Sequence, residues 1–283
     1  MSYRSITLNS GNTIPSIGLG CYNIPTSQTS SLVYEALKVG YRHFDTAVLY
    51  GNESQVIKGI SLFLRDNPQV ERSQIFYTTK LWNNQLGKKA TEKAIDTMMD
   101  QIGDLKYIDL LLIHSPLPGQ QRRLESWGVM QEAVQQGKIK NIGVSNYGKH
   151  HIEELFNWSQ LKIPPAVNQI EISPWCMRQE LAQWCLKNDI QVEAYAPLTH
   201  GYKLESPPAE LKKIMTKYNK SAAQILIKWS LEKGYIPLPK TKTPSRLISN
   251  ISVNDFELTA EEMKIIDQPD AYEPTDWECT DAP

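Results

Sequence analysis

Eight short apolar runs, separated by polar turns and longer stretches of helical spacing, pace this chain almost from end to end. They are Ser16–Gly20, Tyr41–Asp45, Ile75–Lys80, Ile108–His114, Ile139–Ser145, Ala166–Gln169, Gln191–Tyr195 and Tyr235–Lys240. Successive runs end 24 to 35 residues apart, and only the last gap, 45 residues, leaves room for an extra helix. Apolar runs without polar alternation are buried on both faces, which is the mark of a parallel sheet covered by its own crossover helices. Eight such units favour a closed (β/α)8 TIM barrel over an open sheet. The 283 residues suit one such domain, so the expectation is a single unit over 1–283. Within it, 270–283, which has no periodicity, forms an irregular tail or lid. Ahead of the first run, Ile6–Leu8 and Thr13–Pro15 flank Asn9-Ser10-Gly11-Asn12, the pattern of a β-hairpin that closes the barrel floor.

The intervening stretches carry helix signals. Over Gln28–Val39 the residues Leu32, Val33, Ala36 and Leu37 share one stripe and Gly40 follows as a stop. Ser221 with Gln224, and Thr259 with Glu262, have capping-box spacing. Charge excludes some functions: 30 Lys+Arg against 31 Asp+Glu leave no basic footprint for nucleic acid. No apolar run approaches the ~20 residues of a membrane helix, and Met1–Thr7 lacks the apolar core of a leader peptide. Four scattered cysteines, none in a C-x-x-C pair, fit a reduced, cytoplasmic setting. His150-His151 has no metal-ligand spacing and reads as a solvated helix start; no metal is expected.

In (β/α)8 barrels, functional groups gather where the carboxyl ends of the strands meet. Here the apolar runs end on Asp45, Lys80, His114, Ser145-Asn146 and Gln169, with Tyr50 on the loop after Asp45. Each alone has an ordinary reading, as a cap, a solvated lysine or a satisfied core histidine. Together they place a carboxylate, an ammonium, a phenol and an imidazole at one small mouth. A free tyrosine titrates near pH ~10. An adjacent ammonium favours the phenolate, and an aspartate would hold that ammonium in place. Such a phenol could protonate an oxygen that becomes alkoxide-like, while a neutral imidazole orients the same carbonyl. Tyr22, Trp82 and Tyr195 surround this mouth, and Tyr195 could present its face to a planar cofactor.

A second cluster follows the eighth run. Thr243-Pro244 reads as an N-cap with proline at the first helical position. The free amides there, with Lys240 and Arg246, would form an anion pocket. Gly18-x-Gly20-x-x-Asn23 fails as a dinucleotide fingerprint, because Pro25 intervenes and Asn23 replaces the last glycine.

The blocks Phe44-Asp45-Thr46-Ala47-Val48-Leu49-Tyr50-Gly51-Asn52-Glu53, Thr79-Lys80-Leu81-Trp82, Leu112-Ile113-His114, Gly143-Val144-Ser145-Asn146-Tyr147, Asn168-Gln169-Ile170-Glu171 and Pro239-Lys240-Thr241-Lys242-Thr243 occur in order. With them the chain resembles the aldo-keto reductases, most of all the small yeast NADPH-dependent reductases. The resemblance covers nearly the whole chain, from the hairpin to about Asp267. It implies NADPH-dependent reduction of aldehydes and ketones by a barrel without a Rossmann domain. On that resemblance Tyr50 donates the proton, Lys80 lowers its pKa, Asp45 pairs with Lys80 and His114 orients the carbonyl. Ser145, Asn146 and Gln169 would hold the nicotinamide carboxamide, and Tyr195 would stack on its ring. Lys240, Thr241, Arg246 and Asn250 would grip the adenosine 2′-phosphate and adenine; Tyr22 and Trp82, with His114, would line the substrate side. The partner would be a small carbonyl compound, acted on by a monomer or weak dimer. Tyr22 stands where the family often has Trp, Ser115 replaces an aromatic, Ser249 an acidic residue, and the short tail implies a more open pocket. Two rivals remain: a barrel aldolase using Lys80 as a Schiff-base nucleophile, and an NADPH-binding regulatory or redox-sensing protein with little turnover.

Overall fold

The strands of this barrel lie where side chains leave water on both faces of the chain at once; all six residues of Ile108–Ile113 are buried. The computed structural model describes residues 4–283. Met1–Tyr3, the start of the stretch read above for a leader, lie outside the described residues. A hairpin of β1 (Ser5–Thr7) and β2 (Thr13–Pro15) is followed by eight parallel strands. These are β3 (Leu19–Gly20), β4 (His43–Asp45), β5 (Phe76–Leu81), β6 (Ile108–Ile113), β7 (Ile139–Ser145), β8 (Val167–Glu171), β9 (Gln191–Tyr195) and β10 (Ile236–Pro237). Each pairs with its neighbours in chain order.

The ends of the sheet meet at a seam that departs from the expected runs. Ser16–Gly20 and Tyr235–Lys240 give strands of only two residues. Pro237 and Pro239 have no N–H to donate, so a regular ladder is impossible there. Their carbonyls still accept: Gly18 N donates to Pro237 O at 3.1 Å and Gly20 N to Pro239 O at 3.1 Å, while Leu238 N bonds Ala194 O at 2.9 Å. Those bonds close the (β/α)8 TIM barrel. At its floor, Leu8 and Ile14 of the hairpin pack against Phe76, Leu110, Leu112, Val167 and Leu238. Asn9 Nδ2 ties the turn to Pro165 O at 2.9 Å.

Helices cover the outside. Thr26–Val39 begins two residues before the expected stripe and ends at Gly40, whose φ of 111° only glycine adopts freely. Both capping boxes form, at Ser221–Gln224 and Thr259–Glu262. The long gap before β10 holds the extra helix, Ala209–Tyr218 ahead of Ala222–Glu232.

The irregular tail crosses the barrel mouth because buried polar groups need its backbone. Glu171, 1% exposed, accepts from Thr275 N at 2.6 Å, Thr275 Oγ1 at 2.7 Å and Asp276 N at 3.1 Å. Arg178 pairs with Glu278 and bonds Thr280. At His150-His151 the helix start forms as expected and His150 is exposed, but the tail corrects the expectation for His151, which is buried, accepts from Gly148 N at 3.0 Å and lies 2.7 Å from Ala282 O. Two ion-pair contacts join the tail to the segment after β9: Lys203 Nζ to Glu273 Oε2 at 2.6 Å, and His200 Nε2 3.3 Å from Asp276 Oδ2.

Two expectations follow from this packing. A Cβ on Gly20 would lie 2.9 Å from Leu238 O, backbone that cannot swing aside. Gly20→Ala should therefore cost about 1–3 kcal/mol in urea unfolding; an unchanged midpoint would mean that the seam yields. Asp276 raises the pKa of His200 above its ordinary value of 6.5, assisted by Glu171 and opposed by burial and Lys240. A raised folded pKa means that the contact contributes fully below 6.5 and is lost as pH rises through the folded value. Amide exchange over 272–283, corrected for intrinsic rates, should speed up across that window in the native chain and stay flat in His200→Gln. Equal protection on both sides of the window in the native chain contradicts this.

Candidate active site

The polar ends of the runs converge because neighbouring strands place them side by side. Asp45 ends β4 in register with Thr78, two residues before Lys80 on β5. Beyond Asp45 the chain turns through a single 3₁₀ turn, Val48–Tyr50, and leaves through Gly51 at φ 65°. Asn52 pins the turn: it accepts from Thr46 Oγ1 at 2.7 Å and donates to Cys21 O at 2.9 Å. Tyr50 is thereby brought back over the strand it follows.

Lys80 is fully buried. Its Nζ lies 2.7 and 2.8 Å from the Asp45 carboxylate oxygens, 3.0 Å from Thr46 O and 3.2 Å from Tyr50 Oη. The expected lowering of the phenol does not occur in this arrangement. Burial, then the carboxylates of Asp45 and Asp276, push Tyr50 well above the ordinary tyrosine range. The reason is that the ammonium is already matched by Asp45, so the pair presents little net positive charge to the phenol. Tyr50 is therefore held as a protonated donor. His114 follows β6, and burial with the Lys80 charge pushes it well below the ordinary histidine range, leaving a neutral imidazole. Its Nδ1 is buried and unpartnered.

Aromatic rings wall this corner. The centroids of Tyr22 and Tyr50 are 5.0 Å apart, those of Tyr50 and His114 5.6 Å, and those of Trp82 and His114 5.2 Å. Trp277 of the tail stands 5.6 Å from Trp82. Short as it is, the tail does not leave this side open, because the Glu171 bonds carry Asp276 and Trp277 into the cavity wall. Ser115, in place of an aromatic, instead ties two loops through Asn83 at 2.7 Å.

The same cavity, about 870 Å³, runs past the ends of β7, β8 and β9. Ser145 Oγ donates to Gln169 O at 2.8 Å. Asn146, held at φ 60°, donates to His114 O at 3.0 Å and accepts from Tyr195 Oη at 2.8 Å. The cavity ends among Lys240, Thr241, Lys242, Arg246, Ser249 and Asn250. Pro244 opens the helix Pro244–Ile251, but Thr243 makes no side-chain cap bond; its N–H donates instead to Thr241 Oγ1 at 3.0 Å. Pro244 has no N–H and Arg246 N already donates to Thr243 O at 3.0 Å, so the expected set of free first-turn amides does not form and an anion here meets chiefly the cationic side chains. Among the described residues, no carboxylate pairs with Lys240, Lys242 or Arg246, and burial with the Lys242 charge lowers Lys240. Cations left unpaired at the end of a polar cleft suit a multiply charged anion.

All the residues singled out from sequence line this cavity except Lys80, which lies beneath it. Asp276 and Trp277 also line the cavity, and the aperiodic tail carries no local signal for them. Glu193, a charged residue inside an apolar run, is a further signal in the sequence.

The sequence model of the Aldo/keto reductase family matches residues 16–271. An uncharacterized oxidoreductase of Saccharomyces cerevisiae is 58% identical over 277 residues, 98% of each chain. The crystal structure of an aldo-keto reductase from a deep-sea metagenome library superposes with a TM-score of 0.90 at 37% identity, covering 99% of this chain and 100% of that one. A Bombyx mori aldo-keto reductase, solved in complex with NADP, gives 0.86 at 36% identity over 94% and 92% of the two chains. With its fold, its ordered motifs and a family match over most of its length, this chain belongs to the aldo/keto reductase family.

Proposed function

We propose that this chain reduces aldehydes and ketones to alcohols with NADPH, the hydride coming from the nicotinamide and the proton from Tyr50. The carrying observation is that one cavity joins the Asp45–Lys80–Tyr50 chain of contacts and His114 to Lys240, Lys242 and Arg246, cations with no carboxylate partner among the described residues. The residues present fit a phosphorylated dinucleotide: the cations Lys240, Lys242 and Arg246 at one end, amide and hydroxyl groups of Ser145, Asn146 and Gln169 at the other. The NADP complex of the Bombyx mori relative supports the choice of cofactor.

Bound, NADPH supplies a hydride to the carbonyl carbon. Every other part is played by the chain. Lys240, Thr241, Arg246 and Asn250 hold the 2′-phosphate and adenine. Ser145, Asn146 and Gln169 hold the carboxamide, and the Tyr195 ring supports the nicotinamide face. His114, neutral, orients the carbonyl oxygen between itself and Tyr50, while Tyr22, Trp82 and Trp277 shield that oxygen from water. Tyr50 keeps its proton until negative charge grows on the oxygen, then releases it. The phenolate left behind sits 3.2 Å from the Lys80 ammonium, which stabilises it. Asp45 holds that ammonium in place with both carboxylate oxygens. A Schiff base at Lys80 would need a neutral, mobile amine, and this one is fully buried and bonded to a carboxylate. We further propose that residues 1–283 work as one cytoplasmic barrel domain with 270–283 completing the site; all four cysteines are free and buried.

Tyr50→Phe should lower kcat by about 10²–10⁴-fold, the usual worth of a general acid, while NADPH binding measured by fluorescence titration stays within twofold. Near-native turnover sinks the assignment. Lys240→Met or Arg246→Ala should shrink the NADPH-over-NADH ratio of kcat/KM roughly tenfold or more, since one charge-assisted hydrogen bond contributes about 1.5–3 kcal/mol. A ratio unmoved in both variants would show that the 2′-phosphate is held elsewhere.

A further inference from the structure

Beneath the mouth lies a carboxyl group that the reaction as described does not use. Glu193, in the middle of β9, is completely buried between the apolar Val192 and Ala194. It is not part of the cavity wall. Burying a carboxyl group is costly unless its oxygens are bonded, and an aliphatic residue would fill an interior position without that cost. Its placement is specific. Glu193 stands opposite Gln169 in the β8–β9 register, and its Oε2 accepts from Gln169 Nε2 at 2.7 Å. Its other oxygen lies 3.5 Å from Nε2 of the buried His43, which bonds Thr78 Oγ1 instead, so Oε1 has no hydrogen-bond partner among the described residues and Oε2 carries the one bond Glu193 makes there.

Gln169 has two amide hydrogens, and both are spent on carboxyl groups: one on Glu193, the other on Asp45 Oδ2 at 2.8 Å. Asp45 is itself held by Lys80. Turning the amide over would set Gln169 Oε1 against two carboxyl oxygens, so the orientation is dictated by its neighbours. What Gln169 can then offer to the cavity it lines is the carbonyl oxygen, an acceptor only. Burial and the nearby Asp45 charge push the Glu193 carboxyl upward, and a carboxyl oxygen accepts from Gln169 in either protonation state.

We infer that Glu193 is a positioning residue for the cofactor: by holding one amide hydrogen of Gln169, with Asp45 holding the other, it locks Gln169 so that only its carbonyl oxygen meets the amide N–H of the nicotinamide carboxamide. This rests on the reading of Gln169 as a carboxamide ligand. Glu193→Leu removes the acceptor, frees the amide to rotate and should weaken NADPH binding by roughly five- to tenfold, within the range of one hydrogen bond to a charged or polar partner. Glu193→Gln, whose side-chain oxygen can accept the same bond, should recover most of that loss.

The experiment is a double-mutant cycle on NADPH dissociation constants, read by quenching of tryptophan fluorescence, with Glu193→Leu made in the native chain and in Gln169→Ala. Circular dichroism and thermal midpoints check that each variant is folded. Expected is a loss in Gln169→Ala, a comparable loss in Glu193→Leu, and little further loss when the two are combined. If Gln169→Ala binds NADPH as the native chain does, the carboxamide reading itself fails and the inference falls with it. If Gln169→Ala is weakened but Glu193→Leu is not, or if the Glu193 loss persists in full without Gln169, the inference alone is overturned. Should Glu193→Leu not fold, Glu193→Asp carries the test: it keeps the carboxyl group but withdraws it from Gln169 by one methylene, and binding unchanged from native would refute the inference.

Discussion

A charged lysine with no exposed surface is the constraint around which the mouth of this barrel is organised. Taking an ammonium ion out of water costs several kcal/mol even after relaxation, and removing one partner of a buried pair costs about 3–5 kcal/mol. Lys80 is tolerable only because Asp45 meets it with both oxygens, at 2.7 and 2.8 Å, and Thr46 O takes a further hydrogen. These contacts demand that β4 and β5 keep their register and that the loop after Asp45 turn sharply enough to point a carbonyl inward. Once those demands are met, Tyr50 has nowhere to go but over Nζ. Burial is the larger cause of the shifts at Tyr50 and His114, and the ion pair adds to it: Asp45 raises Tyr50 further, Lys80 lowers His114 further, and Asp45 Oδ2 gives Gln169 one of its two acceptors.

The electrostatic consequence differs from what a phenol beside an ammonium suggests in isolation. A lone cation would draw the proton off. A cation already matched by a carboxylate leaves a nearly neutral pair, so burial decides and the phenol stays protonated. For the reduction proposed here this is the useful state, because the acid must hold its proton until an oxygen develops charge and must then leave its own charge somewhere favourable. An ammonium 3.2 Å away is that place. The unpaired cations at the far end of the cavity follow the opposite logic. Lys240, Lys242 and Arg246 have no carboxylate partner among the described residues, and that absence is what makes them receptive to an anion.

The sequence exposes most of the barrel because burial on both faces leaves a one-dimensional trace: an uninterrupted apolar run that ends abruptly on a polar residue. Asp45, Lys80, His114, Ser145 and Gln169 are visible for that reason, and they do meet at one mouth. Where the trace fails, the cause is specific. Prolines 237 and 239 are apolar enough to extend the eighth run but cannot donate to a ladder, so β10 is two residues long and the seam closes through proline carbonyls. His151 reads as polar surface because the carbonyl that buries it comes from Ala282, 131 residues later. The tail is aperiodic because its order comes from bonds to Glu171 and Arg178 on other elements, a pattern no local window contains.

Glu193 marks where a linear reading loses information of another kind. A strand in a closed barrel has an outer face against helices and an inner face toward the axis, and both are buried, so hydropathy does not distinguish them. A carboxyl group in such a run is conspicuous, yet the run does not reveal what it faces. Only the register does: Gln169 lies opposite Glu193, and Ser145 lies opposite Gln169. The row Ser145–Gln169–Glu193 is therefore one band of bonded polar groups crossing three adjacent strands, joined at Gln169 to the Asp45–Lys80 pair. Such a band is rigid where its polar atoms are satisfied and costly where one is not; both Gln169 amide hydrogens and Glu193 Oε2 are satisfied, while Glu193 Oε1 has no hydrogen-bond partner among the described residues. Under the function proposed here, a site that holds a flat amide in a single orientation gains from fixing Gln169, since a freely rotating glutamine would present donor and acceptor in turn.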